Sequence, residues 1–207
     1  MPTVVVAPHP DDETLGAGGL ITFQTNRGVP ITMIAVTDGE AAYTSFPDLA
    51  TTRIAEQNAA AQALGVPSER IVRLKMPDSE VSAFEHELAT NIADHLDAGT
   101  LLIAPWDLDP HPDHEACGRA AVEAARATGA IVVFYMFWAW HRNLPESLID
   151  LPLRRLEIPP SLQEARSSAL ACHRSQLERP GGDPILPEIF LAPARRPYEI
   201  FIVNPHD

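Results

Sequence analysis

Thr3-Val4-Val5-Val6-Ala7 runs directly into Pro8-His9-Pro10-Asp11-Asp12-Glu13 and then into a helical pattern from Thr14 to Arg27, with Gly28 just past its end. The apolar run has no polar alternation, which marks a strand buried on both faces. A glycine after the last periodic residue is a helix stop. A second β-branched run, Ile31 to Thr37, follows at once. Strand, helix and strand in this order make a parallel pair with a crossover helix. The unit then repeats. Ala50 to Leu64 reads as a helix closed by Gly65 and Pro67, and Ile71 to Lys75 as a strand. Val81 to Leu96 reads as a helix with Asp78 or Ser79 as N-cap. Leu101 to Ala104, Asp113 to Thr128 and Ile131 to Met136 complete the series as strand, helix and strand. The predicted fold is α/β: a mostly parallel sheet of order about 3-2-1-4-5 with helices on both faces.

Beyond Trp140 the rhythm loosens. Leu153 to Ile158 is a further predicted strand, and Ser161 to His173 a helix whose Ser161-x-x-Glu164 matches a capping box. Pro180-Gly181-Gly182 reads as a loop and Tyr198 to Val203 as a closing strand. Ten of the 20 prolines lie between Pro145 and Pro205. Residues 1–136 are therefore expected to form the α/β core of one domain, and 137–207 a Pro-rich elaboration that forms part of the pocket.

The chain has 207 residues, 15 Lys plus Arg and 28 Asp plus Glu, for a formal charge of −13. So acidic a protein is not expected to bind nucleic acid or an anionic membrane, since both need a basic face. The two cysteines, Cys117 and Cys172, form no CxxC, so neither a disulfide framework nor a Cys-based zinc site is indicated. Met1-Pro2-Thr3 opens no signal peptide, and the longest apolar stretch, Ile131 to Trp140, is too short to span a bilayer. A cytoplasmic location with reduced thiols is expected. A homo-oligomer is compatible with the sequence, which carries no legible interface pattern.

In open parallel sheets, ligands bind at the carboxyl ends of the strands. Here those ends are Pro8 to Glu13, Asp38-Gly39-Glu40, and Pro105-Trp106-Asp107-Leu108-Asp109-Pro110-His111-Pro112-Asp113-His114. Two of the three combine histidine with carboxylates between prolines, which stiffen the backbone around them. Three His and Asp ligands with an open fourth position describe a catalytic zinc site, and His9, Asp12 and His114 supply such a set. Iron, cobalt or nickel suits the same donors. Asp11 is then placed to take a proton from water, and His111 to donate to an oxyanion or leaving group. Asp113 is a candidate to orient an imidazole from behind.

Other residues carry weaker signals. Asp12 or Glu13 can also serve as an ordinary helix cap. Gly16, Gly18 and Gly19 invite a phosphate-loop reading, but the acidic run before them would repel an anion, so helix packing is the better account. Arg53 reads as a helix-surface ion pair with Glu56 or Glu40. In Trp138-Ala139-Trp140-His141, Trp140 can stack on a ligand and His141 line the pocket, whereas Trp138 reads as packing. Asp183 is a candidate for a polar ligand contact or a plain turn residue. Ser175 and Gln176 read as a helix-end cap, and His86, His95 and His206 as solvated.

Together these motifs resemble the LmbE-like or PIG-L family of zinc-dependent N-deacetylases. Pro8-His9-Pro10-Asp11-Asp12-Glu13 with Leu15-Gly16-x-Gly18-Gly19 is similar to the family's first signature, and His111-Pro112-Asp113-His114 to its second. Thr37-Asp38-Gly39, Arg53-x-x-Glu56, His173-Arg174-Ser175-Gln176 and the Glu199-Ile200-Phe201 ending add matches in the same order. The resemblance implies a Rossmann-like fold, one zinc per chain, and removal of an N-acetyl group from an amino sugar or glycoconjugate. By position it implies His9, Asp12 and His114 as zinc ligands, Asp11 as general base and His111 as oxyanion stabiliser. Arg53 matches a substrate-binding arginine. The chain is shorter than the mycothiol-pathway deacetylases. An amidase acting on another small conjugate and a metallophosphoesterase are the competing expectations. The latter needs two bridged ions and basic residues, of which the loops offer Arg53 alone.

Overall fold

A computed structural model describes residues 1–43, 48–142, 148–178 and 182–203. Its strands are β1 Thr3–Ala7, β2 Ile31–Ala35, β3 Ile71–Arg73, β4 Leu101–Pro105, β5 Ile131–Tyr135, β6 Leu153–Glu157 and β7 Tyr198–Val203. They form one sheet of order β3-β2-β1-β4-β5-β7-β6. The first five are parallel, as the sequence predicts, and β7 and β6 extend the sheet with antiparallel pairings. The C-terminal third thus begins as added sheet beyond β5.

Helices cover both faces. They are α1 Asp12–Thr25, α2 Leu49–Ala63, α3 Glu85–Ala93, α4 Pro112–Thr128, α5 Ala139–Arg142, α6 Pro160–Leu170, α7 Arg174–Leu177 and α8 Glu188–Leu191. Side chains alternate across a strand. Val4 and Val6 therefore meet Leu88, Ile92, Ala116 and Ala120 of α3 and α4, while Val5 meets Ala17, Ile21 and Ala60 of α1 and α2 and Leu64 just past the end of α2. Both faces of β1 are sealed, which accounts for its uninterrupted apolar run.

Three local expectations are corrected. Val81–Phe84 is a 3-10 turn, and α3 starts only at Glu85, with no side-chain cap. Asp78 does not cap it, because its carboxylate accepts from the Ala41 N–H at 2.9 Å and faces His9. α6 begins at Pro160 after Pro159, so Ser161 lies inside the helix and no capping box forms. Proline at the first helical position does the job instead, since its fixed φ suits the turn and it has no N–H to satisfy. At α1 the N-cap is Asp11, with no side-chain cap bond. Of the predicted loop, Pro180 and Gly181 lie outside the described residues.

The glycines of α1 are packing positions, as expected. Glu199 of β7 accepts from the Gly19 N–H at 2.6 Å and the Leu20 N–H at 2.8 Å, and pairs with Arg166 of α6 at 3.0 Å. A Cβ on Gly19 would lie 2.9 Å from that carboxylate. Arg166 is 1% and Glu199 6% exposed. Burial pushes the Glu199 carboxyl up, and Arg166 pulls it back. Removing one member of a buried pair strands the other. Glu199→Ala is therefore expected to lower unfolding stability by about 3–5 kcal/mol in urea titration, with Glu199→Gln milder.

Candidate metal centre and catalytic cleft

The carboxyl ends of β1, β3 and β4 meet over the sheet. The loop after β1 contributes His9, Asp11 and Asp12, the chain after β3 contributes Asp78 and Ser79, and the start of α4 contributes His111, Asp113 and His114. Of these, His9, Asp11, Asp12, Asp78, Ser79 and His111 line a cleft of about 330 Å³, with Asp113 and His114 buried behind them. Its polar lining includes His9, Asp11, Asp12, Arg53 and His111, and its apolar lining Phe137, Trp138, Ile185 and Leu186.

Each imidazole is held from one side by a carboxylate. His114 Nδ1 lies 2.8 Å from Asp109 Oδ2, and His9 Nε2 lies 3.0 Å from Asp113 Oδ2. Their other nitrogens face one carboxylate: His9 Nδ1 is 3.1 Å and His114 Nε2 3.2 Å from Asp12 Oδ2. His114 is fully buried, and among the described residues its Nε2 has no hydrogen-bond partner of good geometry. Ligand atoms of His9, Asp12 and His114 lie within 4.8 Å of one another. Two nitrogens and a carboxylate, each imidazole fixed from behind, form a donor set that fits a zinc-like divalent ion. His9, His111 and Asp113 also cluster. There, however, His111 Nδ1 accepts from the Asp113 N–H, and Asp113 accepts from the Ser79 and Val81 N–H groups. The first trio is the better cation site, because it holds the buried His114 Nε2 that lacks a partner of good geometry among the described residues.

The field around the trio draws positive charge. Burial opposes charge on His9, but bonds to Asp113, Asp12 and Asp78 raise it well above an ordinary imidazole. Burial likewise opposes charge on His114, yet Asp12 and Asp109 raise it to about 9. Burial opposes the Asp12 anion too, but His114 and His9 hold its carboxyl well below the usual range.

Asp11 is set apart from Asp12 by its backbone. Its φ of 130° and ψ of −27° are strained for a non-glycine residue. Arg53 holds it there: Nη2 donates to Pro10 O at 2.7 Å and Asp11 Oδ2 at 3.2 Å, and Nη1 to Gly39 O at 3.0 Å. Gly39 has φ 67°, and a Cβ there would run into the guanidinium. Burial pushes the Asp11 carboxyl up, Arg53 pulls it down, and Asp12 and Glu13 push it up again. Arg53 is 4% exposed, and its ion pair is with Asp11 rather than with Glu56 or Glu40. Behind it Glu13 is fully buried, accepting from Gln57 Nε2 at 3.1 Å and from the Thr14 hydroxyl. His173 meets that hydroxyl at 3.2 Å.

His111 is the N-cap of α4. Because its Nδ1 accepts from the Asp113 N–H at 3.3 Å, the neutral ring carries its proton on Nε2. Burial, then the His114 and His9 rings, lower it to about 4. Trp138 stacks on it, with ring centroids 5.7 Å apart and planes 16° apart. Arg142 lies 3.9 Å from the Trp138 ring centroid and donates to Pro110 O at 2.7 Å.

Of the other candidates, Trp140 lies outside the cleft, in a small crevice with Leu15 and Tyr198, where Arg196 approaches its ring to 5.3 Å. His141 packs on Phe137 and Phe190, and Asp183 is exposed. Sequence reasoning passed over Asp109 and Asp78 as members of the site. Asp109 is fully buried and accepts from the Trp138 and Ala139 N–H groups at 3.1 and 2.6 Å. It ties His114 to the end of β5, a long-range contact that no local pattern announces.

The family model for PIG-L, GlcNAc-PI de-N-acetylase, matches residues 4–125. A diacetylchitobiose deacetylase of Thermococcus kodakarensis is 32% identical over 60% of this chain and 49% of its own length. A probable N-acetyl-alpha-D-glucosaminyl L-malate deacetylase 2 of Bacillus subtilis is 27% identical over 84% of this chain and 83% of its own. The crystal structure of the conserved protein TT1542 from Thermus thermophilus superposes with a TM-score of 0.68 at 25% identity, over 86% of this chain and 80% of that one. The match to the Thermococcus protein thus spans about half of that relative. No helix among the described residues is long and apolar enough to cross a membrane. With its family model matched over more than half its length, across both His/Asp loops, the chain belongs to the PIG-L family.

Proposed function

We propose that this protein is a metal-dependent N-deacetylase, with one zinc ion per chain, that releases acetate from an N-acetylated amino sugar or glycoconjugate. One observation carries the reading. A buried carboxylate, Asp11, and a neutral imidazole, His111, line one cleft with His9 and Asp12, the two residues that form the trio with His114, without belonging to that trio. Bound there, the metal supplies Lewis acidity that lowers the pKa of water and polarises an acetyl carbonyl. Asp11 accepts the proton of the attacking water and delivers it to the departing amine nitrogen as the C–N bond breaks. His111 donates from Nε2–H to the carbonyl oxygen as charge develops on it. Arg53 orients Asp11. Asp109 and Asp113 orient the two imidazoles.

The family and the names of the relatives support the acetylated-sugar class. The phosphoester alternative lacks its anchor, because both terminal nitrogens of Arg53 already donate to Gly39 O, Pro10 O and Asp11, and its charge is paired with the Asp11 carboxylate. The test is acetate release from N,N′-diacetylchitobiose by zinc-loaded and chelator-stripped protein. Activity that disappears on stripping and returns with about one equivalent of zinc is expected. Phosphatase activity without acetate release contradicts the proposal.

A further inference from the structure

Beyond the catalytic groups, one fully buried polar side chain lines the cleft with an atom unused. Gln176, in α7, is 0% exposed, and its Oε1 has no hydrogen-bond partner among the described residues. The orientation of its carboxamide is fixed by its neighbours. Ser175 Oγ–H donates to Glu56 Oε2 at 2.6 Å, which uses the only hydroxyl proton. The Ser175 oxygen can then only accept, so the group 2.8 Å from it is the Gln176 NH₂. Oε1 is left as the free end. The segment is anchored throughout: the Ser175 N–H donates to Glu56 Oε1 at 2.8 Å, and Gln176 O accepts from the Leu186 N–H at 3.0 Å.

Glu56 stands three residues after Arg53 on α2, on the same helix face. Arg53 also lines the cleft, and its Nε is a buried donor with no partner among the described residues. An orphaned acceptor and an orphaned donor thus approach the cleft from one helix face and the segment tied to it. Leaving such groups unpaired in a folded protein is costly, and it points to a ligand that completes them. A hydroxyl is both donor and acceptor, as a sugar requires.

We propose that Gln176, held by the Glu56–Ser175 relay, is a specificity-determining residue whose Oε1 accepts a hydrogen bond from a hydroxyl of the substrate. The proposal rests on the deacetylase reading for its substrate class. Acetate release is measured from N-acetylglucosamine and from N-cyclohexylacetamide, the same acetamide on a six-membered ring without hydroxyls. For Gln176→Leu, the preference for the sugar should fall about tenfold, carried by KM rather than kcat. Its unfolding midpoint should equal or exceed that of the wild type, because an unpaired buried acceptor has been removed. Ser175→Ala, which frees the carboxamide to turn, should shift the preference the same way. An unchanged preference in either variant, or a Gln176→Leu loss that comes with a lowered midpoint, overturns the assignment. If wild-type protein releases acetate from neither compound nor from N,N′-diacetylchitobiose, the deacetylase reading fails separately. Gln176 is then judged by saturation-transfer NMR with N-acetylglucosamine: binding about tenfold weaker in Gln176→Leu supports the role. Equal binding, or none to the wild type, ends it.

Discussion

Asp11→Asn is expected to lower acetate release by about 10²–10⁴-fold while leaving metal binding intact. The variant keeps an oxygen for Arg53 and tolerates the positive φ better than most residues. It removes only the ability to take a proton. Arg53 is buried and its Nη1 and Nη2 atoms are otherwise engaged by backbone carbonyls, so it does not depend on Asp11 alone. The fold should therefore survive, and a thermal midpoint near that of the wild type is the control. Because Asp11 stands outside the His9, Asp12 and His114 trio, metal content measured by emission spectroscopy should stay unchanged.

His114→Ala should act on the other half of the machinery and abolish metal binding itself. The loss of affinity should exceed the about 10–100-fold that follows loss of a residue that only orients a ligand. The ring is completely buried, and its Nε2 is aimed at Asp12. Its partner Asp109 would keep the Phe137, Trp138 and Ala139 N–H groups, so the carboxylate stays satisfied and the end of β5 stays in place. A metal titration followed by calorimetry reads the effect. Tight binding to His114→Ala would remove this histidine from the ligand set.

The parallel core was legible because a strand sealed on both faces leaves an unmistakable mark. Val4, Val5 and Val6 face two different helix layers and still share one chemistry. The loops at the strand ends were legible for a related reason, since histidine and aspartate flanked by proline are rare in an ordinary turn. What failed was whatever depended on a turn of the backbone. Trp138 and Trp140 look equivalent two residues apart. The chain, however, leaves β5 at Tyr135 and enters α5 at Ala139, so the two rings leave the backbone in different directions. Trp138 consequently reaches His111, and Trp140 reaches Arg196. Ser175 and Gln176 looked like caps because Glu56, which holds Ser175 and through it Gln176, is 119 residues away from Ser175.

The charge of −13 is likewise better understood from the fold. Asp12, Asp78, Asp109 and Asp113 are gathered around two imidazoles. Part of the acidity is thus a local field that attracts a cation, while Asp11 is kept out of it by Arg53 and a strained φ.

The proposed function rests on that separation of Asp11 from the His9, Asp12 and His114 trio. The most direct test measures zinc content and acetate release on the same sample of Asp11→Asn beside the wild type. One zinc per chain in both proteins, with turnover lost only in the variant, is the predicted result. Loss of zinc together with turnover, or turnover that persists without Asp11, would contradict it.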